Sequence, residues 1–480
     1  MFSASGRIAW YFLTATLLIV FASAASAKQD GAKPDEARLK PAYRFARGGW
    51  IYVHLEGSPA DIGYQHGYLL APEIEDGFKT VQLQDTHRTQ RDWNFYRATA
   101  QNILWPHIEV EYQQELQGIA DGLQAHGSTL ELWDVVALNA MEEVPDYYVP
   151  WLNKQEKQAH APHLKAPGNC SAFVATGAWT KDHSPVIAHS NWTDIATGTR
   201  WTIIFDIVPT NGYHMLMDGF PGIIVSDDDF GINSAGLMVT ETTITGFALF
   251  DPKGKPEFVR ARKALQYAKS IDEYVQIMLD GNNGGYANDW LLADNSTGEI
   301  ARFEIGLKMH RVWRTKNGYF VGANFPSDPA FMKAETDFNP NVMSSSPNAR
   351  HKRWEEIMPA NKGQIDVELG KKFLADHFDA YEGKEDRNFR GLCGHGESSP
   401  TGEPAWGDPP YNPSGAVTAQ AADSTMTRNM TLQARAGHPC GEDFIAEKFL
   451  KEHPEFDWQR PILKDMKGNP WTEFKTSDKQ

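Results

Sequence analysis

The chain has 480 residues, 41% of them hydrophobic and 22% charged, with a formal net charge of −16. This is a globular composition, long enough for one large domain or two to three ordinary ones. With no basic tract, the balance argues against nucleic acid as a partner and against electrostatic attachment to anionic lipid.

Arg7 precedes an apolar run over residues 8–22, and Ala25-Ser26-Ala27 follows as a small-x-small site. A basic start, a short apolar core and that ending predict a secretory signal peptide over residues 1–27, cleaved after about Ala27. The run is shorter than the roughly 20 residues of a membrane span, so the expectation is a secreted or periplasmic protein without stable membrane insertion. Residues 49–55 alternate like a strand, and Ser58-Pro59 opens helix-like spacing that continues to about Met141. Residues 28–169 are therefore expected to form a helical N-terminal segment or propeptide, with residues 49–150 sharing one core with residues 170–480. Residues 150–167 are mostly polar and read as an exposed linker, a fitting place for a bond to be cut.

The chain then reaches Gly168-Asn169-Cys170-Ser171-Ala172-Phe173, where a thiol leads into an apolar, strand-like run. One reading is self-cleavage between Asn169 and Cys170, so that the new N-terminal amine serves as base for the thiol. A free α-amine has a pKa of about 7.7–8.0, near working pH, whereas a peptide nitrogen has no such basicity. The other reading is a buried cysteine acting as a small hydrophobe. Downstream, short strands alternate with turns, Asn211-Gly212 and Asn233-Ser234-Ala235-Gly236 among them. Helical spacing returns over residues 257–280 and 349–358, with further strands between, which suits a layered α+β enzyme. Asp227-Asp228-Asp229 with His183 and His189 lacks metal-ligand spacing, and no Gly-x-Ser-x-Gly motif appears. Neither a metal nor a cofactor is expected.

His189-Ser190-Asn191-Trp192, Phe220-Pro221-Gly222-Ile223, residues 236–244 and Gly285-Tyr286-Ala287-Asn288-Asp289-Trp290, together with the Cys170 stretch, resemble the phospholipase B-like proteins. Gly63-Tyr64-Gln65-His66-Gly67 and Leu292-Ala293-Asp294 are similar to the autoproteolytic acyltransferases of the penicillin acyltransferase type. Both groups are N-terminal-nucleophile hydrolases. The resemblance implies a four-layer αββα sandwich, self-cleavage before Cys170, and hydrolysis or transfer of an acyl group. It carries Cys170 over as nucleophile, Asn324 as an oxyanion-binding amide, Arg350 as the cation beside the thiol, and His189 and Asp194 as groups near the amine. An Arg that related bile-salt hydrolases hold shortly before the acidic residue is replaced here by Ser190-Asn191, which puts the Asp194 match in question. Asn288, Trp192 and Thr243 are expected on the substrate side. Cys393 and Cys440 lie in Gly/Pro-rich surroundings and are a candidate disulfide if the protein is exported.

Three functions stay open on this reading. The first is hydrolysis of acyl esters of phospholipids, with a lipid substrate and no nucleic acid. The second is hydrolysis or transfer of an N-acyl amide by the same mechanism. The third is a non-catalytic ligand-binding protein of the same fold. Oligomeric state is not read from the sequence.

Overall fold

A computed structural model describes residues 34–156, 170–226 and 230–479. The expected signal peptide, Asn169 and the Asp227–Asp229 turn lie outside the described residues. The strands in chain order are β1 (Tyr43–Arg47), β2 (Trp50–Gly57), β3 (Ser171–Thr176), β4 (Val186–Asp194), β5 (Ile203–Pro209), β6 (Met215–Gly219), β7 (Gly231–Asn233), β8 (Leu237–Thr240) and β9 (Asn288–Asp294). Then follow β10 (Glu299–Ile305), β11 (His310–Thr315), β12 (Gly318–Gly322), β13 (Phe378–Asp379), β14 (Lys384–Glu385), β15 (Ser414–Asp423), β16 (Thr431–Ala436) and β17 (Thr472–Lys475).

Among the described residues they form a nine-stranded sheet ordered β1-β2-β5-β6-β7-β8-β9-β10-β11, a six-stranded sheet ordered β12-β3-β4-β15-β16-β17 and a two-stranded pair β13-β14. The mixed α+β class expected from the sequence is what the chain adopts. Side-chain alternation decides which face each strand gives to which core. In β2, Trp50 and Tyr52 join a core shared by both sheets, while Val53 and Leu55 join the core under the N-terminal helices. In β3, Ala172 and Val174 face the core between the sheets, and Phe173 and Ala175 pack with Trp354, Ile357 and Met358 of the helix Ser346–Ala360. A strand buried on both faces reads as an unbroken apolar run, as residues 172–175 do.

β2 pairs in parallel with β5, so the segment before Cys170 contributes two strands to the larger sheet. Part of the expected exposed linker is instead helical: Val149–Gln155 forms a helix that buries Val149 and Asn153. Its apolar Val149, Trp151 and Leu152 find a core to pack on, which outweighs the polar character of the stretch as a whole. Residues 157–169 of that linker lie outside the described residues. No helix among the described residues is long and apolar enough to cross a membrane.

The helices Pro59–Leu69 and Val110–His126 lie in backbone contact through glycines on both. A Cβ on Gly67 would sit 2.0 Å from the carbonyl oxygen of Ile119, and one on Gly122 would sit 2.2 Å from that of Tyr64. Backbone cannot yield as a flexible side chain does. We therefore expect Gly67→Ala to destabilise the protein by about 1–3 kcal/mol, read as a lower urea midpoint than that of the unaltered chain.

Candidate active site

Cys170 stands directly before β3, and the pairing of β3 determines its neighbours. On one side Gly322 of β12 pairs with Ala172, so the chain beyond β12 brings Asn324 alongside Cys170. On the other side Ser190 of β4 pairs with Ser171 and His189 with Ala172. Cys170 and Asn324 both adopt left-handed backbone, with φ of 106° and 61°. Asparagine tolerates that region, but for cysteine it is a strained conformation, one that persists only when surroundings hold it.

Arg350 is what holds it. It is the fifth residue of the helix Ser346–Ala360, just past its first turn, and is fully buried. One guanidinium nitrogen donates to the Cys170 carbonyl oxygen and, at 3.1 Å, to Ser171 Oγ. The other terminal nitrogen donates to Asn324 Oδ1 at 2.7 Å, and Nε donates to Ser346 Oγ at 2.8 Å. Its face lies 4.3 Å from the Trp192 ring centroid and 5.5 Å from that of Trp406. Burial pulls the guanidinium pKa down to about 9, against the opposing pull of Cys170 and Glu403. A cation at a helix N-terminus also meets the positive end of the helix dipole. Both effects favour negative charge nearby, which is the condition that turns a thiol into a thiolate.

His189 is buried, with Nδ1 3.2 Å from Gln420 Oε1 and Nε2 without a hydrogen-bond partner among the described residues. Burial lowers its pKa to about 4, so the ring is neutral at neutral pH. Ligand atoms of Cys170, His189 and Glu241 all lie within 4.8 Å of one another. Glu241 Oε1 accepts from the Tyr286 hydroxyl at 3.1 Å. The sequence reading had assigned Glu241 no role. Its signal was a lone carboxylate in the otherwise uncharged run over residues 237–245.

The remaining predicted residues divide. Thr243 is at the site, its carbonyl accepting from Asn324 Nδ2 at 2.7 Å and its hydroxyl donating to Tyr286 at 3.2 Å. Asn288 bridges to Thr243 across the sheet and is fully buried, and neither polar atom of its side chain has a partner among the described residues. A buried amide left that way is costly unless a ligand or water meets it. Trp192 is a wall behind Arg350, buried against Gly394, where a Cβ would lie 2.2 Å from its ring. Asp194 is not brought to Cys170. It lies four residues beyond Ser190 on β4, about 13 Å further along the strand, where Gln84 donates to it at 3.0 Å. Cys393 and Cys440 are not joined: each thiol lies instead against His395 Nε2, at 3.5 and 3.6 Å.

Residues 72–313, half of the 480-residue chain, match the family model described as Phospholipase B. The chain belongs to the phospholipase B family. A Caenorhabditis elegans protein named as phospholipase B-like is 36% identical over 283 residues, covering 51% of this chain and 48% of the relative. Phospholipase B-like protein C of Dictyostelium discoideum is 22% identical over 288 residues, 51% of this chain and 50% of the relative. Phospholipase B-like 1 of Bos taurus is 24% identical over 267 residues, 48% of this chain and 47% of the relative. The chain thus spans about half the length of these curated relatives. The phospholipase B match contains Cys170, His189, Glu241 and Asn288, whereas Asn324 and Arg350 come from beyond it and meet Cys170 only in the folded chain.

In this phospholipase B family chain, Asp194 lines a neighbouring cavity of about 430 Å³, with Gln84, Asp85, Arg88, Trp406 and Asp408. Trp406 forms a wall of both the cavity and the Arg350 site. Burial pushes the Asp85 carboxyl up to about 7, opposed by Arg88, and the Asp408 carboxyl up to about 8, reinforced by Asp194. Arg88 is already engaged with Asp146, at 2.6 and 3.3 Å. A carboxyl whose folded pKa is raised contributes stability that is fully present below its unfolded value of 3.8 and is lost as pH rises through about 7. The urea midpoint should therefore fall between about pH 4 and about pH 8, and Asp85→Asn should flatten that fall.

Proposed function

We propose that this phospholipase B family chain is an exported N-terminal-nucleophile hydrolase that cuts itself before Cys170 and then hydrolyses acyl esters, phospholipids being the substrate class. The observation that carries this reading is the strained Cys170 backbone whose carbonyl is gripped by the buried Arg350, at the junction with the segment to be released. The helices, two facing sheets and further helices support a four-layer αββα sandwich, the fold in which such nucleophiles sit at a strand start. The signal-like residues 1–27 support export, and the names of the relatives support the ester substrate.

In the first step Cys170 Sγ attacks the Asn169 carbonyl carbon, the peptide C–N bond breaks, and the freed nitrogen takes a proton to become the Cys170 amine. Water then hydrolyses the thioester, leaving a carboxylate on Asn169 and the thiol on Cys170. In turnover the α-amine accepts the thiol proton, sulfur attacks the substrate carbonyl, the alcohol leaves with that proton, and water releases the fatty acid. Asn288 and Asn324 are assigned as amide donors to the oxyanion, and Arg350 favours the thiolate. Losing one such donor costs about 10²–10³ in rate.

Mass spectrometry and N-terminal sequencing of purified protein test the first step. We expect a fragment beginning Cys-Ser-Ala-Phe, absent from Cys170→Ala, and an Asn288→Ala protein whose turnover is about 10²–10³ slower. An intact, folded chain that hydrolyses phospholipid sinks the self-cleavage reading. Release of amine from acyl amides, with phospholipid untouched, sinks the ester reading.

A further inference from the structure

His377, Cys393, His395 and Cys440 converge far from Cys170 in the chain, on segments with little regular structure. His377 lies between the helix Val367–Leu374 and β13, Cys393 and His395 in the turns before residues 396–398, and Cys440 after β16. Their four ligand atoms all lie within 4.8 Å of one another. His377 Nε2 and His395 Nε2 are 3.2 Å apart, and His395 Nε2 is 3.5 Å from Cys393 Sγ and 3.6 Å from Cys440 Sγ.

Zinc takes thiolate sulfur at about 2.3 Å and imidazole nitrogen at about 2.0–2.1 Å in a tetrahedron. Those bond lengths require edges of about 3.3 Å between two nitrogens and about 3.6 Å between nitrogen and sulfur. The three observed separations fit those edges. Two sulfurs and two nitrogens form the donor set of a structural zinc site rather than of a calcium or magnesium site. A second observation points the same way. His395 turns Nδ1 to Glu397 Oε1 at 2.8 Å, leaving Nε2 for the cluster, and Glu397 also faces His438 Nε2 at 3.6 Å. A carboxylate behind the outer imidazole nitrogen is the usual support of a metal-bound histidine. Backbone bonds pin the same residues: Cys393 N–H donates to Asp376 O at 2.9 Å, and His395 N–H to Asn388 O at 3.1 Å.

We propose that His377, Cys393, His395 and Cys440 bind a structural zinc ion. Binding sends the two thiol protons to solvent and ties the loop of Cys440 to those of His377, Cys393 and His395, adding to the exposed Arg387–Glu442 pair, a weak link in water. Cys393 packs in one apolar cluster with Trp192, Phe389 and Trp406, so the ion braces the two rings that hold Arg350. The zinc state and a Cys393–Cys440 disulfide exclude each other, because the disulfide consumes both sulfur ligands.

The test uses the full chain purified with zinc chloride in the medium. Elemental analysis should find about one zinc per chain, and alkylation of the denatured, unreduced protein should label both Cys393 and Cys440. Cys440→Ser should lose the ion, whereas Cys170→Ala should keep it, which separates this cluster from the one at Cys170, His189 and Glu241. Because Cys393 and His395 are buried and their variants risk misfolding, the unaltered chain supplies a second readout. Chelation should lower its thermal midpoint, and zinc chloride should restore it. A zinc-free chain, a Cys393–Cys440 disulfide, or an ion lost with Cys170→Ala overturns the proposal.

Discussion

A guanidinium removed from water has to be answered by everything around it, and the arrangement about Cys170 follows from how Arg350 is answered. Its donors reach the Cys170 carbonyl, the hydroxyls of Ser171 and Ser346, and the Asn324 side-chain oxygen. Its faces meet Trp192 and Trp406. These groups come from β3, β4, the chain after β12, a helix N-terminus and a long irregular loop. One buried cation thus fixes five segments at once, and removing it would leave several buried acceptors without a donor. Its positive charge is also what makes the neighbouring sulfur a better place for an anion.

The two sheets deliver the other participants. Antiparallel pairing on both edges of β3 puts His189 on one flank of the cysteine and Asn324 on the other. The larger sheet supplies Glu241, Thr243 and Asn288 from just after β8 and the start of β9. A neutral histidine and a carboxylate therefore gather around one thiol although neither is its neighbour in the chain. The strain at Cys170 is tolerable because Arg350 bonds to its carbonyl and to Asn324 beside it.

Some of this was legible in the residue pattern. The alternation of residues 50–55 and the apolar run of residues 172–175 gave their strands, and Asn211-Gly212 gave the turn between β5 and β6. Arg350 was placed beside the thiol by the resemblance, on the serines that lead into it, and its bonds to Cys170 and Asn324 agree. Its burial depends on Trp406, from residues whose Gly/Pro-rich composition suggested only irregularity. Asp194 was placed near the amine by the resemblance to the bile-salt hydrolases, as the nearest acidic match after His189. An extended strand carries the chain about 3.3 Å per residue, so five residues move it out of reach. Cys393 and Cys440 invited a pairing reading from their Gly/Pro-rich surroundings and the signal-like N-terminal residues. His377 and His395 belong to chemistry that spacing along the chain does not reveal.

What the sequence by itself determined is local: many of the strands between residues 49 and 323, the turns, and a cysteine poised at the head of an apolar run. Those depend on side-chain alternation and turn geometry, which neighbouring residues impose on one another. Which groups face that cysteine, which carboxyls are kept uncharged and which thiols meet which imidazoles was decided only by tertiary structure. Charge and coordination act through space over a few ångströms, and the chain reaches those distances only after segments hundreds of residues apart have packed.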